Sequence, residues 1–492
     1  MSETRQGRLI AGRRRAVTGA LIALLMALPS LFVPERPADA LDSPPNFVLI
    51  VTDDQRWDSL GEMQKVDTRL AKEGVTFTNG FVVNPVCCPS RVSSLTGLYS
   101  HWTGVYGNSG EHGGFQAFTD PKDQHTIAKW LQDDGYQTAL IGRYLIGYGQ
   151  EPEYRPPGWD RWNALIGEGD GGFYNYQITR TDPIEDPDPF GDTPDAYSTD
   201  VLAGKAVDFI ENANDADPLF LYFTPTAPHR EAIPHPDHEA EFDDLEKWRP
   251  PSFNEKDMSD KPKWLAKKPR LSARRIAEND EFRENQYATL ESVDEAVDRI
   301  LDALANEGRL ENTVIVFTSD NSIHWGEHRW TTKTLPYNES IHVPLVIRYD
   351  PLTAPIKGTE NDDLALNIDL AATFADLAEV TPTLPPDGPD EIDGRSLVPL
   401  IGGGAPDPDW RSDFLVENAA SGKRTYCAVR REGRLYVRWR SGEEELYNLN
   451  RDPYELNNLI ADSDRRNNNL RSKRRRLKEL CTPPPPGYPY GG

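Results

Sequence analysis

The sequence predicts an α/β protein: a large, mixed, mostly parallel sheet sandwiched by helices, followed by a smaller C-terminal antiparallel sheet plus a helix. Continuous apolar runs rich in β-branched and aromatic residues recur along the chain, as in strands buried on both faces. These runs are residues 45–52, 137–142, 218–224 and 313–318. Segments with helical spacing alternate with the runs, which favours parallel strands with helical connections. From Trp410 onward the chain changes to short alternating segments at 426–429 and 434–440, typical of an antiparallel meander.

Between the first strands, two helices and two irregular segments are expected. Thr126 is a good N-cap residue and precedes an amphipathic segment, which predicts a capped helix at 126–133. A second helical pattern covers residues 199–211. Residues 92–107 are rich in serine and glycine and are predicted to form turns. Residues 150–195 are rich in proline, aspartate and glycine, so we expect a long surface excursion there.

The second half of the chain begins with a polar segment and a long helix. Residues 231–285 are interrupted by proline and are predicted to form a lid or loop bank rather than a domain. Residues 286–307 carry apolar side chains at helical spacing with acidic residues between them, which predicts a surface helix that stops at Gly308. The remaining expectations are a strand at 343–348, a helix at 367–378, a proline-rich linker at 382–389, a basic helix at 465–480 and a mobile end at 482–492.

The N-terminal segment has the pattern of an export signal. Three arginines at 13–15 precede the apolar run 16–33, and Ala-Asp-Ala at 38–40 forms a small-x-small cleavage site. We therefore predict a cleaved signal peptide at residues 1–40, by the Sec or the Tat route, and a secreted or extracytoplasmic protein. The alternative is a retained single-span anchor, because the run approaches the minimum length for crossing a membrane. No other segment is long and apolar enough to span, so stable membrane insertion is not expected.

Charge and cysteine content exclude some function classes. The chain has a formal net charge of −25 at pH 7, which argues against nucleic acid or an anionic membrane as a partner. An anionic substrate would need a locally positive pocket. The four cysteines lack the spacing of a structural zinc site. Cys427 and Cys481 both lie in the C-terminal part and could form a disulfide in an exported protein, although spacing alone does not establish the pairing.

The segment from Asn84 to Arg91 contains the string Cys-x-Pro-Ser-Arg, which starts at Cys87. Pro89 suits the first turn of a helix. If a helix begins here, Cys87 and Arg91 lie on one face, four residues apart. A reactive or modified cysteine would then lie beside a fixed cation at a helix N-terminus, where anions are favoured. The alternative is an ordinary buried cysteine in a loop.

Oxygen-bearing side chains follow two of the predicted buried strands. Asp53 and Asp54 come directly after the first run, and Asp320 and Asn321 come after the last. Ligands gather at the carboxyl ends of parallel strands, and adjacent carboxylates repel each other unless a cation lies between them. These hard oxygen donors favour Ca²⁺ or Mg²⁺ over zinc. An Asx turn that closes the first strand is the alternative interpretation of Asp53 and Asp54.

Three more polar side chains have both a functional and a structural interpretation. His229 follows a strand and a proline, which is a common position for a catalytic group, although a lone histidine is more often structural. Arg143 stands at the exit of the strand at 137–142 and is equally ambiguous. Lys333 has the sequence context of an ordinary solvated lysine.

His324 and His328 are four residues apart with Glu327 between them, which on a helix would suggest a zinc pair. Gly326 interrupts this short segment. A helix is therefore not expected there, and zinc is not favoured.

Together these motifs resemble the sulfatase family of the alkaline-phosphatase-like superfamily, over about residues 45–460. The motifs that carry the resemblance are Thr52-Asp53-Asp54-Gln55, Cys87-Cys88-Pro89-Ser90-Arg91, Ala227-Pro228-His229, Thr318-Ser319-Asp320-Asn321, Glu445-Leu446-Tyr447-Asn448-Leu449 and Asp452-Pro453-Tyr454-Glu455. The cysteine signature is highly specific, whereas the aspartate pairs alone are not. The stretches 142–145 and 250–255 look most like the glucosamine-6-sulfatase and extracellular-sulfatase branch.

The resemblance implies that a separate formylglycine-generating enzyme converts Cys87 to formylglycine (3-oxoalanine). One oxygen of the hydrated aldehyde would attack the sulfur of a sulfate ester, and the other would expel sulfate and restore the aldehyde. Arg91 would hold the hydrate, His229 would contact the ester and assist the leaving group, and Lys333 would neutralise sulfate charge. Ca²⁺, with Mg²⁺ as the alternative, would be bound by the converted Cys87, Asp53, Asp54, Asp320 and Asn321.

The chain departs from the family pattern at Gly142-Arg143-Tyr144-Leu145, where many members have Gly-Lys-x-His. Arg143 keeps the positive charge and can bind an oxyanion through two donors, but its reach differs from that of lysine. Leu145 cannot act as an acid or a ligand. We expect His324 to contact the substrate and to substitute in part near the leaving group.

The leading expectation is therefore a sulfuric ester hydrolase of the arylsulfatase or N-acetylglucosamine-6-sulfatase type, acting on an O-sulfate ester of a sulfated carbohydrate or small molecule. One alternative is a catalytically silent protein that binds sulfated glycans. Another is a phosphodiesterase or phosphonate hydrolase on the same scaffold. The expected domains are a catalytic domain at 41–385, a C-terminal subdomain at 386–480 and a flexible tail at 481–492.

Overall fold

A computed structural model of the chain describes residues 43–167, 169–180, 187–404, 408–419, 424–462 and 470–488. The predicted signal peptide at 1–40 and the first residues of the predicted basic helix, 465–469, lie outside the described residues. None of the helices within the described ranges has the length and apolar character needed to cross a membrane.

Strands and helices alternate through the first two thirds of the described chain. The strands are β1 (Asn46–Thr52), β2 (Val75–Phe77), β3 (Gly80–Phe81), β4 (Gln137–Gly142), β5 (Arg161–Ile166), β6 (Gln177–Ile178), β7 (Asp188–Pro189), β8 (Leu219–Thr224), β9 (Thr313–Ser319), β10 (Leu345–Arg348), β11 (Thr359–Asn361), β12 (Ala365–Leu366), β13 (Asp413–Asn418), β14 (Tyr426–Arg431), β15 (Arg434–Trp439) and β16 (Glu444–Asn448). The α-helices are α1 (Cys87–Thr96), α2 (Ser100–Thr103), α3 (Ile127–Asp133), α4 (Ser198–Glu211), α5 (Lys263–Ala266), α6 (Ala273–Asn306), α7 (Asn338–Ile341), α8 (Asp350–Thr353), α9 (Asp369–Leu377), α10 (Val398–Ile401), α11 (Leu459–Asp462) and α12 (Leu470–Leu480). Short 3₁₀ or π-helical turns lie at Trp57–Glu62, Val66–Ala71, Phe115–Ala117, Lys122–Gln124, Tyr148–Gln150, Gly169–Gly172, Pro194–Ala196, Leu310–Asn312 and Ala354–Ile356.

The central sheet is mixed and mostly parallel, as the sequence predicts. Within the described residues it has ten strands in the order β11-β2-β10-β9-β1-β8-β4-β5-β6-β7. The central strands β9, β1, β8, β4 and β5 are all parallel to one another. Antiparallel pairing enters on either side, through β10 next to β9 and through β6 and β7 next to β5.

Strand β1 explains why the buried strands are apolar throughout. Phe47, Leu49 and Val51 pack on one face of the sheet in a cluster that includes residues of α1, α3 and α9. Val48 and Ile50 pack on the opposite face, with residues of α4 and α6. Because successive side chains of a strand point to opposite faces, a strand covered by helices on both sides needs an unbroken apolar run.

The C-terminal subdomain is the predicted antiparallel sheet with a helix. Strands β13, β14, β15 and β16 pair in that order. Leu477 of α12 packs on one face of this sheet, and a disulfide joins Cys427 to Cys481. Tyr488 is buried, and its hydroxyl donates to the Arg438 carbonyl at 3.1 Å. The described start of the expected flexible tail is thus packed against the sheet, because the disulfide and a buried aromatic ring anchor it.

The expectation of turns at 92–107 is wrong for its first part, because α1 continues to Thr96. Hydroxyl groups of α1 donate hydrogen bonds to backbone carbonyls one turn earlier in the helix. Ser94 Oγ donates to the Ser90 carbonyl at 3.0 Å, and Thr96 Oγ1 donates to the Val92 carbonyl at 2.8 Å. Side chains that usually favour turns are thereby satisfied within a buried helix.

Two long irregular segments contain regular structure that the sequence patterns hide. Within 150–195, β5 pairs in parallel with β4 and is mostly buried, so that part is not a surface excursion. Helix α6 begins at Ala273, well before residue 286. Its first turns are solvent-exposed and stabilised by charge pairs such as Arg274–Glu278 at 2.7 Å, so they carry no apolar periodicity.

The parallel strands bring the predicted site segments to one edge of the sheet. β1 and β9 pair in register up to Thr52 opposite Ser319, and β4 pairs with β8 so that Gly142 lies opposite Thr224. The residues that follow these four strands therefore leave the sheet at the same edge.

Candidate active site

The carboxyl ends of β1 and β9 place three carboxylates side by side. Asp53 and Asp54 follow Thr52, and Asp320 follows the residue opposite it. The backbone N–H of Asp54 donates to Asp320 Oδ1 at 3.4 Å. All three side chains are about 1% exposed. The adjacency predicted from the two strand ends is therefore present, and the acidic groups are withdrawn from water.

Cys87 is the first residue of α1, where it meets this carboxylate group. The preceding Val86 is extended and caps the helix, and Pro89 occupies the first turn without loss of a hydrogen bond. Cys87 Sγ lies 3.5 Å from Asp53 Oδ1 and 2.6 Å from Lys333 Nζ. The next residue, Cys88, instead accepts a hydrogen bond from the backbone N–H of Ile146 at 3.2 Å.

Arg91 lies one turn after Cys87 and ties the helix to both strand ends. Its Nε donates to Asp320 Oδ2 at 2.7 Å, and its Nη2 donates to Asp53 Oδ2 at 3.2 Å. Its Nη1 donates to Thr224 Oγ1 at 2.6 Å and to the Arg143 carbonyl at 2.8 Å. A guanidinium group held by four acceptors is a fixed positive charge.

Two further cationic side chains contact the buried carboxylates. Arg143 Nη1 donates to Asp53 Oδ2 at 2.9 Å, from the turn after β4. Lys333 Nζ lies 2.5 Å from Asp54 Oδ1 and 3.8 Å from Asp53 Oδ1. Burial would lower the pKa of Lys333, but Asp54 and its neighbours hold it well above the ordinary value, so the amine is charged. The buried carboxylates are thus balanced by buried cations, which a low-dielectric site requires.

Burial raises the pKa of the Cys87 thiol well above its ordinary value, and the charge of Asp53 adds to the rise. The positive charge of Lys333 lowers the pKa of Cys87, but it does not cancel the rise. The thiol is therefore held neutral, and a neutral thiol is a poor nucleophile. The unmodified side chain does not suit nucleophilic chemistry at neutral pH.

The donor set fits a hard divalent cation. One ligand atom from each of Asp53, Asp54, Cys87 and Asp320 lies within 4.8 Å of the others. Asn321 Nδ2 donates to Asp54 Oδ1 at 2.5 Å, while Asn321 Oδ1 is buried and has no hydrogen-bond partner among the described residues. Burial, followed by the charge of Asp53, raises the pKa of Asp320 to about 7. A bound cation would relieve this repulsion, and a flip of the Asn321 amide would turn its orphaned oxygen towards the carboxylates.

The two histidines predicted for the site take different positions. His229 is partly exposed at the rim, with Nε2 3.9 Å from Asp54 Oδ2 and Nδ1 donating to the Arg230 carbonyl at 3.0 Å. Burial lowers its pKa. His324 is fully buried and contacts Thr332, Ser340 and Glu339 rather than Cys87 or the carboxylates. The expected contact of His324 with substrate gains no support from these contacts.

A cavity of about 270 Å³ opens beside Cys87, Arg91 and Arg143. Residues 144–150 and 165–167 form its other wall. The sequence interpretation missed this wall because β5, which supplies part of it, lies inside a proline- and glycine-rich stretch. It also missed Thr224, whose hydroxyl contacts Arg91. That position is the last residue of a predicted strand, so the same strand-end signal that marked Asp53 could have marked it.

The sheet and its buried, cation-balanced carboxylate edge define an alkaline-phosphatase-like hydrolase of anionic esters. The chain belongs to the sulfatase family, whose profile matches residues 45–380. A second profile, described as N-sulphoglucosamine sulphohydrolase, C-terminal, matches residues 326–481. The protein is thus a sulfatase, a sulfuric ester hydrolase.

Individual relatives agree with this assignment. The chain is 31% identical to N-acetylglucosamine-6-sulfatase of Homo sapiens, covering 85% of this chain and 82% of that protein. It is 29% identical to N-acetylglucosamine-6-O-sulfatase of Bacteroides thetaiotaomicron, covering 85% and 83%. A solved structure described as a complex with its substrate D-glucosamine-2-N,6-O-disulfate matches with a TM-score of 0.75 and 26% identity, over 89% of this chain and 98% of that one.

Gly142 is a structural requirement of the site. Its φ is +125°, and a Cβ there would lie 2.0 Å from the Thr224 carbonyl oxygen, which accepts from the Arg143 N–H at 2.8 Å. We predict that Gly142→Ala lowers the free energy of unfolding by about 1–3 kcal/mol. It should also reduce sulfatase activity by displacing Arg143. Chemical denaturation and a steady-state assay measure the two effects.

Gly61→Ala is the matched control, because a Cβ at Gly61 would meet nothing within 4 Å. Its stability should stay within about 0.5 kcal/mol of the parent. Equal stability and activity of the two variants would mean that the β4–β8 junction does not constrain Arg143.

Proposed function

We propose that this protein is an exported sulfatase that hydrolyses an O-sulfate ester of a sulfated carbohydrate, with formylglycine at position 87 and bound Ca²⁺. The observation that carries the proposal is the position of Cys87. It starts a buried helix, contacts Asp53 and Lys333, and lines the cavity beside Arg91 and Arg143. A residue there can reach an anionic ester that the surrounding cations hold.

The Cys-x-Pro-Ser-Arg signature that starts at Cys87 favours a modified residue over a thiolate. Converted to formylglycine by a formylglycine-generating enzyme, residue 87 would supply one hydrate oxygen to attack sulfur and a second whose elimination releases sulfate. The other residues of the site position residue 87. Arg91 is fixed by Asp320 and Thr224, and it would hold the hydrate at residue 87 in one orientation. Position 88 faces the backbone of Ile146 instead, so Cys88 should stay unmodified.

Ca²⁺ is the metal that the donor set favours, with Mg²⁺ as the alternative. Asp53, Asp54, Asp320 and Asn321 would hold it together with residue 87. All offer oxygen atoms, which suit hard cations, and Ca²⁺ tolerates irregular geometry better than Mg²⁺. Bound there, the cation would polarise the sulfate oxygens.

Three side chains would bind the negative charge of the substrate. Arg91 and Arg143 line the cavity, and Lys333 lies against Cys87. Arg143 replaces the lysine found in many members of the family, and a guanidinium group can bind an oxyanion through two donors. These groups are already ordered by the carboxylates, so little reorganisation accompanies binding.

His229 is the candidate proton donor to the leaving alcohol. Its Nδ1 proton is committed to the Arg230 carbonyl, so Nε2 is the atom that faces Asp54 and the cation group. To donate from Nε2 the ring must first take up a second proton, which burial opposes and the charges of Asp53 and Asp54 favour. That proton could then pass to the departing sugar oxygen.

The names of relatives support a glucosamine-containing substrate and an extracytoplasmic location. Two matched proteins are named N-acetylglucosamine-6-sulfatase or its 6-O form, and others are named extracellular sulfatase homologs. The disulfide between Cys427 and Cys481 also suits an oxidising compartment. We therefore propose the 6-O-sulfate of a glucosamine unit as the substrate class.

Mass spectrometry of the Cys87 peptide tests the nucleophile. We expect one sulfur and two hydrogens to be replaced by one oxygen at Cys87 but not at Cys88. Cys87→Ala should abolish turnover of glucosamine 6-sulfate without loss of fold, while Cys88→Ser should retain measurable activity, because a hydroxyl can also accept from Ile146. An unmodified Cys87 peptide with tight glycan binding and no sulfate release would instead establish the silent binding protein.

The role of His229 is tested by changing the leaving group. His229→Gln should lower kcat for a sugar 6-sulfate by about 10²–10⁴-fold. The loss for p-nitrophenyl sulfate should be much smaller, because a nitrophenolate leaves without a proton. His125→Gln is the control, since that ring bonds to Thr383 instead. Equal losses for both substrates would assign His229 to binding rather than proton transfer.

Sulfate and phosphate esters of one alcohol separate the two hydrolase classes. A phosphate monoester carries more negative charge at neutral pH than a sulfate ester, and Asp53, Asp54 and Asp320 oppose the additional charge. We predict a higher kcat/KM for glucosamine 6-sulfate than for glucosamine 6-phosphate. The reverse order would contradict the sulfatase proposal. Turnover of a phosphate diester or a phosphonate monoester of the same alcohol, which carry one negative charge as a sulfate ester does, tests the phosphodiesterase or phosphonate hydrolase alternative.

A further inference from the structure

A second group of potential metal ligands lies outside the candidate active site. His324 and His328 belong to the loop after β9, Glu339 to α7, and Glu455 to the segment after β16. The ligand atoms of His328, Glu339 and Glu455 lie within 4.8 Å of one another, and His324 Nε2 lies 3.8 Å from Glu339 Oε2. All four residues are at most 5% exposed.

The hydrogen bonds of the two imidazoles determine which nitrogen faces this group. His328 Nδ1 lies 2.7 Å from Glu255 Oε2, and His324 Nδ1 lies 3.1 Å from the Thr332 carbonyl. The Glu255 carboxylate and the Thr332 carbonyl accept, and Ser340 Oγ, which lies 3.1 Å from His324 Nδ1, can accept as well, so each Nδ1 carries the hydrogen. Each Nε2 then has a free lone pair directed away from these partners.

Three of these residues offer ligand atoms within 4.8 Å of one another, and His324 approaches them through Glu339 at 3.8 Å. His324 Nε2, His328 Nε2, Glu339 Oε2 and Glu455 Oε2 are buried, and none has a hydrogen-bond partner among the described residues. Buried acceptors without partners are costly, and two carboxylates close together repel each other. His328 is also held at a φ of +50°, which is strained for a histidine. A cation bound to all four atoms would satisfy every one of them.

We propose that His324, His328, Glu339 and Glu455 bind one structural zinc ion. Two imidazole nitrogens and two carboxylate oxygens make a four-ligand set that suits tetrahedral zinc, whereas Ca²⁺ takes oxygen ligands in larger number. The Glu255–His328 hydrogen bond is the carboxylate–histidine pair that orients many zinc-bound imidazoles. Complete burial leaves no open position, so the site is structural rather than catalytic.

The position of the group indicates what the zinc would stabilise. His324 and His328 lie in the loop that leads to Lys333, while Glu455 belongs to the end of the C-terminal subdomain. Zinc would join this loop to α7 and to the C-terminal segment. The inference does not depend on the sulfatase mechanism, because none of the four side chains contacts Cys87 or the carboxylates around it within the described residues.

Shared protons are the competing explanation. A proton between Glu339 and Glu455 would join one pair of acceptors, and protonation of a histidine would add another donor. Metal content distinguishes the two explanations directly.

The full-length protein, purified without chelator and incubated with zinc and calcium before desalting, provides the test. We expect about one zinc per chain by elemental analysis. His328→Gln should lose that zinc and keep calcium, while Asp54→Ala should lose calcium and keep zinc. Glu255→Gln should weaken zinc affinity about 10–100-fold, because it removes only the group that orients His328.

Replacement of zinc by Co²⁺ gives a readout that needs no variant. Tetrahedral nitrogen and oxygen ligation should produce strong visible d–d bands in the wild-type protein, and these should persist in Asp54→Ala. Wild-type protein without bound zinc and without these bands would overturn the proposal and favour shared protons. Zinc that remains in a folded His328→Gln variant would also overturn it, since the ion would then be held elsewhere.

Discussion

The candidate site depends on one constraint, the burial of three carboxylates at the end of two adjacent parallel strands. The register of β1 with β9 places Asp320 beside Asp53 and Asp54, and the surrounding helices exclude water from all three. Buried like charges are unfavourable unless opposite charges approach closely. The need to balance these charges accounts for Arg91, which is otherwise an improbable residue to bury in the first turns of a helix.

Each balancing cation comes from a different element, which makes the site a junction of the fold. Arg91 brings α1 against the sheet, and its bond to Thr224 adds the end of β8. Arg143 lies in the turn after β4, and its backbone carbonyl accepts a hydrogen bond from Arg91. The same contacts that neutralise charge therefore set the position of Cys87. Both cysteines line the cavity, but only Cys87 contacts Asp53 and Lys333, whereas Cys88 accepts a hydrogen bond from the Ile146 N–H.

The sequence predicted the parts of this arrangement that follow from local pattern. A buried parallel strand is apolar throughout, so the acids after β1 and β9 stood out, and the four-residue interval between Cys87 and Arg91 placed both on one helix face. The wall formed around β5 was not predictable in this way, because its short apolar run is surrounded by loop residues. His324 shows the same limit: its sequence neighbours Asp320 and Asn321 belong to the site, but the loop carries its ring to a different buried group.

Under the proposed function, the departures from the family pattern at Arg143 and Leu145 would affect the direction in which the alcohol leaves. Leu145 contributes only apolar surface to the cavity wall, and none of the described residues that line the cavity is a histidine. His229 does not line this cavity; its Nε2 lies 3.9 Å from Asp54 Oδ2 and its side chain is partly exposed. An ester bound by Arg91, Arg143 and Lys333 would then direct its sulfate towards Cys87 and its alcohol towards His229. The rim rather than the cavity floor would therefore contact the sugar, and residues around His229 would decide which glycan is accepted.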